Sequence, residues 1–263
     1  MLRWLTAGSA DRASVDGVTL AIVIASCVVV LAVGILVWIR WLSRRRTYWF
    51  ERLTNAIPEH SDWWKSQRDR EGELLYVAIG DSAAQGIGAS RPGRSYVGAV
   101  AAHIRATTGT TVKVVNLGIS GATVRIALDK ELRHLAKLAP DVVTVSIGAN
   151  DIPTFDAARF ERELDELYAQ LPKHAIVADL PTFYFLPAER MVRAANLILR
   201  RVAAKHGLAV APLHERMRRQ GLWGVTTQFA GDLFHPNDRG YRVWASAFLP
   251  AVDDRIRDIG RST

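Results

Sequence analysis

The sequence predicts an α/β protein: a three-layer α/β/α sandwich around a mainly parallel five-stranded sheet, preceded by one N-terminal transmembrane helix. Three observations carry this prediction. Short β-branched runs alternate with helical stretches through the 190 residues from Leu74 to Thr263, the pattern of a parallel sheet covered by helices on both faces. Glycine-bearing turns follow the first three of those runs, at the strand ends where such sheets place their sites. Ahead of them, Val18–Ile39 is a run of 22 residues without a charge.

Residues 1–17 form an N-terminal flank and 18–39 the transmembrane helix, an apolar run interrupted by Thr19, Ser26 and Gly34. As a helix the run is about 33 Å long at about 1.5 Å per residue, enough for the hydrocarbon core of a bilayer. It exceeds the apolar region of a signal peptide, and no small-x-small cleavage site follows it. Trp38, Trp41, Tyr48 and Trp49 stand where an interfacial aromatic belt belongs. A retained single-pass anchor is therefore expected. Arg3 and Arg12 precede the span, whereas Arg40, Arg44, Arg45, Arg46 and Arg52 follow it. The positive-inside count favours a cytoplasmic C-terminal side; the alternative is an exposed Arg44-Arg45-Arg46 patch lying on anionic lipid.

Residues 40–72 read as a polar, aromatic-dotted juxtamembrane connector with Trp63, Trp64 and the charges between Lys65 and Glu73. Residues 73–263 form the folded domain. Its buried strands are expected at Leu74–Ile79, Val112–Leu117, Asp141–Ile147, Ala175–Asp179 and Leu208–Ala211. Helices are expected near Tyr96–Thr107, Thr123–Leu138, Asp156–Gln170 and Ala188–His206.

Composition narrows the chemistry. With 49% hydrophobic and 23% charged residues, the chain is neither a disordered tail nor a coiled-coil rod. A lone cysteine, Cys27, excludes an intrachain disulfide and a cysteine-based metal site. His60, His103, His134, His174, His206 and His214 show no paired metal-ligand spacing with carboxylates, and no metal or organic cofactor is expected. The net charge of +8 is spread along the chain, 10 basic against 7 acidic residues in 1–72 and 24 against 19 in 73–263. So diffuse an excess singles out no nucleic-acid partner, although an anionic membrane surface would attract it.

The strand ends carry the candidate residues. Gly80-Asp81-Ser82-Ala83-Ala84-Gln85-Gly86 follows the first strand, Gly118-Ile119-Ser120-Gly121 the second and Gly148-Ala149-Asn150-Asp151 the third. A serine just past a strand can present its hydroxyl while neighbouring backbone N–H groups face the same point. It still needs a base held in the right tautomer. Near the C-terminus, Asp232-Leu233-Phe234-His235-Pro236-Asn237 supplies a carboxylate three residues before a histidine, a spacing that lets the carboxylate accept from Nδ1 while Nε2 faces the serine. Taken singly, Ser82 reads as a helix N-cap, Asn150 and Asp151 as turn residues, Asp232 as solvated and His235 as structural. Taken in order they form a nucleophile, two oxyanion-donor candidates and an Asp-His pair. The first loop lacks the Lys-Ser/Thr of a phosphate loop and the glycine spacing of a dinucleotide site.

These blocks resemble those of the SGNH (GDSL-type) hydrolase family, matched in order from Leu74 to about Leu249. The resemblance implies Ser82 as nucleophile, Gly118 in Asn116-Leu117-Gly118 and Asn150 as oxyanion-hole members beside the Ser82 N–H, and Asp232 with His235 as the rest of a triad. It departs from the common pattern at Ala83, where a leucine usually follows the serine. The implied activity is that of a membrane-anchored serine esterase, lipase or deacetylase acting through an acyl-enzyme. An O-acyltransferase or carbohydrate deacetylase would use the same residues, and a tethered binding module would retain the fold without turnover. An acyl ester, of a lipid or an acylated glycan, is the expected partner; the oligomeric state is open. The aromatics of Pro181–Pro187 after the fourth strand either line an acyl pocket or cover the sheet.

Overall fold

The computed structural model describes residues 8–184 and 187–262. The chain divides between Tyr48 and Trp49 into two compact units. The first holds all but the last two turns of helix α1 (Gly8–Asn55). Every side chain from Thr19 to Ile39 is exposed, and the helix is long and apolar enough to cross a membrane.

The second unit takes in the end of α1 and then α2 (Ile57–Arg68), where Pro58 suits the first turn and His60, Trp64 and Gln67 recur on one buried face. The stretch expected as a connector thus contains a helix packed on the domain. It escapes a hydrophobic-periodicity reading because two of its three buried residues are polar. The sheet consists of β1 (Leu74–Gly80), β2 (Val112–Asn116), β3 (Val142–Ser146), β4 (Ile176–Ala178) and β5 (Ala209–Ala211), in the order β2-β1-β3-β4-β5 with every pair parallel. Side chains alternate between its faces. Val77, Ile79, Val115, Val143 and Val177 enter one core, and Tyr76, Ala78, Val114, Val142 and Ile176 the other.

Helices cover both faces. Between β1 and β2, α3 (Ser82–Gln85) and α4 (Tyr96–Thr108) follow; α4 packs on the Tyr76 face. From β2 to β3 the chain crosses to the Val77 face through α5 (Val124–Ile126), a π turn (Ala127–Glu131) and α6 (Leu132–Leu135). The single helix expected over 123–138 is therefore broken. The wide turn carries Glu131 inward, where its Oε2 accepts the Gly80 N–H at 2.9 Å. Helices α7 (Ala157–Ala169) and α8 (Ala188–His206) complete that face, and after β5 come α9 (Leu213–Arg218), α10 (Gly221–Thr227) and α11 (Asp238–Ser262). The last returns to the other face with Tyr241, Trp244 and Phe248. Because β1 sends its crossover to one side and β2 to the other, the chain reverses direction in the sheet beside the C-terminal end of β1, the switch point that opens a crevice.

Candidate active site

Ser82 stands at that switch point, as the first residue of α3. The Asp81 carboxylate caps this short helix by accepting the Ala83 N–H at 2.8 Å. Gly80 leaves no room for a side chain, since a Cβ there would meet the Ser146 carbonyl oxygen at 2.6 Å. The turn is therefore held from below by β3 and from within by its own acid.

The histidine arrives on the loop between α10 and α11. A bridge joins Phe229 to Pro236, and the Ala230 N–H donates to the His235 carbonyl at 2.8 Å. Asn237 fastens the loop base, its Nδ2 donating to the carbonyls of Thr227 and Phe229 at 2.8 and 2.9 Å. Between them Leu233 adopts a left-handed backbone with φ of 58°, which folds Asp232 back toward His235. Asp232 Oδ1 accepts the N–H groups of Phe234 and His235, each at 3.1 Å.

The result is a continuous hydrogen-bond chain. His235 Nδ1 lies 2.6 Å from Asp232 Oδ2, and His235 Nε2 lies 3.1 Å from Ser82 Oγ. Burial alone would raise the Asp232 carboxyl, but the His235 ring and the two loop N–H groups outweigh it and hold the group below its ordinary value. As an ionised acceptor, Asp232 requires the proton on Nδ1, which leaves Nε2 of the neutral ring to accept from the serine.

The two oxyanion candidates reach the same turn. Asn150, in the 3-10 turn after β3, donates from Nδ2 to the Ala122 carbonyl at 3.0 Å and faces Asp81 Oδ2 at 3.4 Å. Gly118 is tied to the Ser82 turn through Gln85, whose Nε2 donates to the Gly118 carbonyl at 3.0 Å. Its own N–H donates to Asn116 Oδ1 at 3.0 Å, so that donor already has a partner within the site. Burial pushes Asp81 up to about 6, against the pull of the Ala83 N–H and of His235. It also lifts Asp151 to about 6, offset in part by the Val124 N–H that Asp151 accepts. Glu131, buried behind Gly80, is held well above the ordinary carboxyl range by burial.

Sequence reasoning gave no role to Asn116, Gln85 or Asn237. Asn116 is buried, and its Nδ2 donates to the Ala84 carbonyl at 2.7 Å. The available signal was position: Asn116 and Gln85 flank the two turns, and Asn237 stands just before a helix, where asparagine caps. Phe183, from the stretch left open between pocket and cover, packs on the Val77-face core, and its ring meets Phe234 edge-on at 6.1 Å beside His235. Phe185 and Leu186 lie outside the described residues.

Comparison with known proteins agrees with this geometry. A family model described as GDSL-like Lipase/Acylhydrolase matches residues 78–243. Among solved structures, an alpha/beta hydrolase enzyme from the metagenome of Lake Arreo, Spain, is 28% identical with a TM-score of 0.59, covering 70% of this chain and 97% of that one. A lipase/acylhydrolase from Enterococcus faecalis is 19% identical with a TM-score of 0.58 over 69% of this chain and 96% of its own. An acetylxylan esterase from Geobacillus stearothermophilus is 23% identical with a TM-score of 0.51 over 68% and 94%. These last two show a shared fold. No curated protein matches the sequence. The family match spans more than half of the chain and carries the Ser82, Gly118, Asn150, Asp232 and His235 blocks: this protein is a serine ester hydrolase of the GDSL-like lipase/acylhydrolase, or SGNH, family.

Proposed function

We propose that the chain is a membrane-anchored esterase that cleaves carboxylic esters through an acyl-enzyme on Ser82. The observation that carries this reading is the chain of hydrogen bonds from Ser82 Oγ to His235 Nε2 and from His235 Nδ1 to Asp232. As Ser82 Oγ attacks the ester carbonyl, Nε2 takes its proton, and the Asp232 carboxylate stabilises the imidazolium so formed. His235 then gives that proton to the leaving alcohol. In the second half, Nε2 takes a proton from water, whose oxygen attacks the acyl carbon, and His235 returns that proton to Ser82 Oγ as the bond to the acyl group breaks and the acid is released.

Charge on the carbonyl oxygen is met by the Ser82 N–H, Asn150 Nδ2 and the Gly118 N–H, the last shared with Asn116 Oδ1. A donor of this kind is worth about 2.7–4 kcal/mol in the transition state. The half-exposed Phe234 and the Phe183 ring against it form an apolar wall beside His235, suited to the acyl group of a lipid ester or an acetylated glycan. Turnover of p-nitrophenyl esters of increasing chain length by the full chain, beside Ser82→Ala, tests the reading. Hydrolysis lost in the variant supports it, and equal hydrolysis in both refutes it. Transfer to a sugar hydroxyl exceeding hydrolysis would make the protein an acyltransferase.

The exposed apolar surface of α1 supports its role as the anchor. The five arginines from Arg40 to Arg52 support a cytoplasmic catalytic unit. Reporters active only in the cytoplasm or only after export, fused to Thr263, decide the side: activity of the export reporter alone reverses the orientation.

A further inference from the structure

The residues between the apolar helix and the sheet lie outside the family match, which begins at residue 78, yet they bond to the site. His60 Nδ1 and Trp64 Nε1, one turn apart on α2, each donate at 3.0 Å to one oxygen, the Gln85 carbonyl. One turn further on, Arg68 Nη2 donates to the Asn116 carbonyl at 3.0 Å. A carbonyl oxygen accepts two hydrogen bonds, so α2 fills the capacity of Gln85 and ties a charged donor to Asn116.

Gln85 and Asn116 both carry side-chain bonds that join the catalytic turns, beside the backbone bond from the Ile119 N–H to the Gly80 carbonyl. The Gln85 side chain donates to the Gly118 carbonyl at 3.0 Å and accepts from Ser120 Oγ at 2.6 Å. The Asn116 side chain donates to the Ala84 carbonyl at 2.7 Å and accepts from the Gly118 N–H at 3.0 Å. Each therefore spans the Ser82 turn and the Gly118 turn, and each is anchored by its backbone oxygen to α2. Trp49 makes a third approach: a Cβ on Gly231 would meet its ring at 2.2 Å, so the indole lies directly on the residue before Asp232.

We propose that α2 is a positioning element of the active site, in which His60, Trp64 and Arg68 hold the Gln85 and Asn116 carbonyls and through them the Ser82 and Gly118 turns. The catalytic consequence rests on Ser82 being the nucleophile; the mechanical one does not. Oxyanion donors act only when their geometry is fixed before the charge appears. Loosening α2 therefore costs turnover and leaves ground-state binding of the ester largely unchanged.

Arg68 is exposed, so its substitution leaves the core intact. In the full chain, Arg68→Met is expected to lower kcat about five- to tenfold with KM unchanged, and to slow fluorophosphonate labelling of Ser82 by the same factor. Arg68→Lys, which keeps a charged donor, restores most of the rate. Trp64→Phe, which keeps a ring and removes the N–H, repeats the split. Hydrogen exchange over residues 82–87 and 116–122 reads the clamp independently of chemistry, and accelerates in Arg68→Met and Trp64→Phe. Exchange and kcat within twofold of wild type in both variants, or a lower melting temperature with unchanged kcat, would overturn the proposal. Accelerated exchange in a protein whose Ser82 takes no label would leave the clamp standing and remove the esterase reading.

Discussion

Asp81 and Asn150 face each other across the catalytic turn, Oδ2 to Nδ2 at 3.4 Å, while Asp81 Oδ1 holds the Ala83 N–H at 2.8 Å. One buried carboxyl thus caps the helix that begins with Ser82 and offers an acceptor to the amide proposed for the oxyanion. Replacing it with an amide sets donor against donor, because Oδ1 is committed to Ala83. Asp81→Asn is expected to lower kcat about tenfold. Its stability should carry the opposite signature. The folded carboxyl ionises at about 6, above its ordinary 3.8, so the stabilisation it lends is complete below pH 3.8 and is lost as pH rises through 6. The asparagine variant, neutral throughout, should gain about 2 kcal/mol on wild type between pH 4 and pH 8, at about 1.4 kcal/mol per pKa unit. Denaturant titration at both pH values measures it.

Asn150→Ala removes a donor whose proposed partner exists only in the transition state. Steady-state kinetics should show kcat lower by about 100- to 1000-fold and KM little changed. Unchanged kcat would return Asn150 to the role of a turn residue holding the Ala122 carbonyl.

Gly118→Ala places a methyl 2.7 Å from Ala84 Cβ and 3.2 Å from the Gly80 carbonyl oxygen. Overpacking of this kind costs about 1–3 kcal/mol. For a chain of this size that is a fall of several degrees in melting temperature, accompanied by lost turnover as the Gly118 and Ser82 turns separate.

Truncation separates anchor from domain. A chain lacking residues 1–42 should melt cooperatively. One lacking 1–72 also loses α2, with Trp64 at 3% exposure, and should be less stable by about 3–5 kcal/mol. Equal melting of the two would make α2 dispensable to the fold.

What could be read from the sequence follows from burial. Strands covered on both faces are continuous runs such as Val142–Val145, and β1 to β4 were legible as such; β5 was placed correctly, but at the sheet edge it is not the buried strand expected, with Ala209 exposed and Val210 half-buried. The crossover helices from Asp156 and Ala188 were legible because their apolar spacing is regular. α2 was not, since His60 and Gln67 are polar residues on a buried face. The break in the helix after Thr123 was equally hidden: nothing local to Glu131 announces that its carboxyl is bound to Gly80, 51 positions earlier. The helix Asp238–Ser262 went unread, although its Asn237-Asp238 start is a capping signal. Within the candidate site, Ser82, Asp232 and His235 were singled out because the proposed chemistry demands those residue types. Gln85 and Asn116 act through backbone partners that only the fold brings near.

The central claim is that Ser82 is the nucleophile of an esterase. A fluorophosphonate forms a covalent bond only with a serine whose hydroxyl is activated and whose developing anion is bound. Labelling of the full chain, followed by peptide mapping, should place the adduct on Ser82, with none formed in Ser82→Ala and slow labelling in His235→Ala. An adduct on another serine, or equal labelling of wild type and Ser82→Ala, would contradict the account.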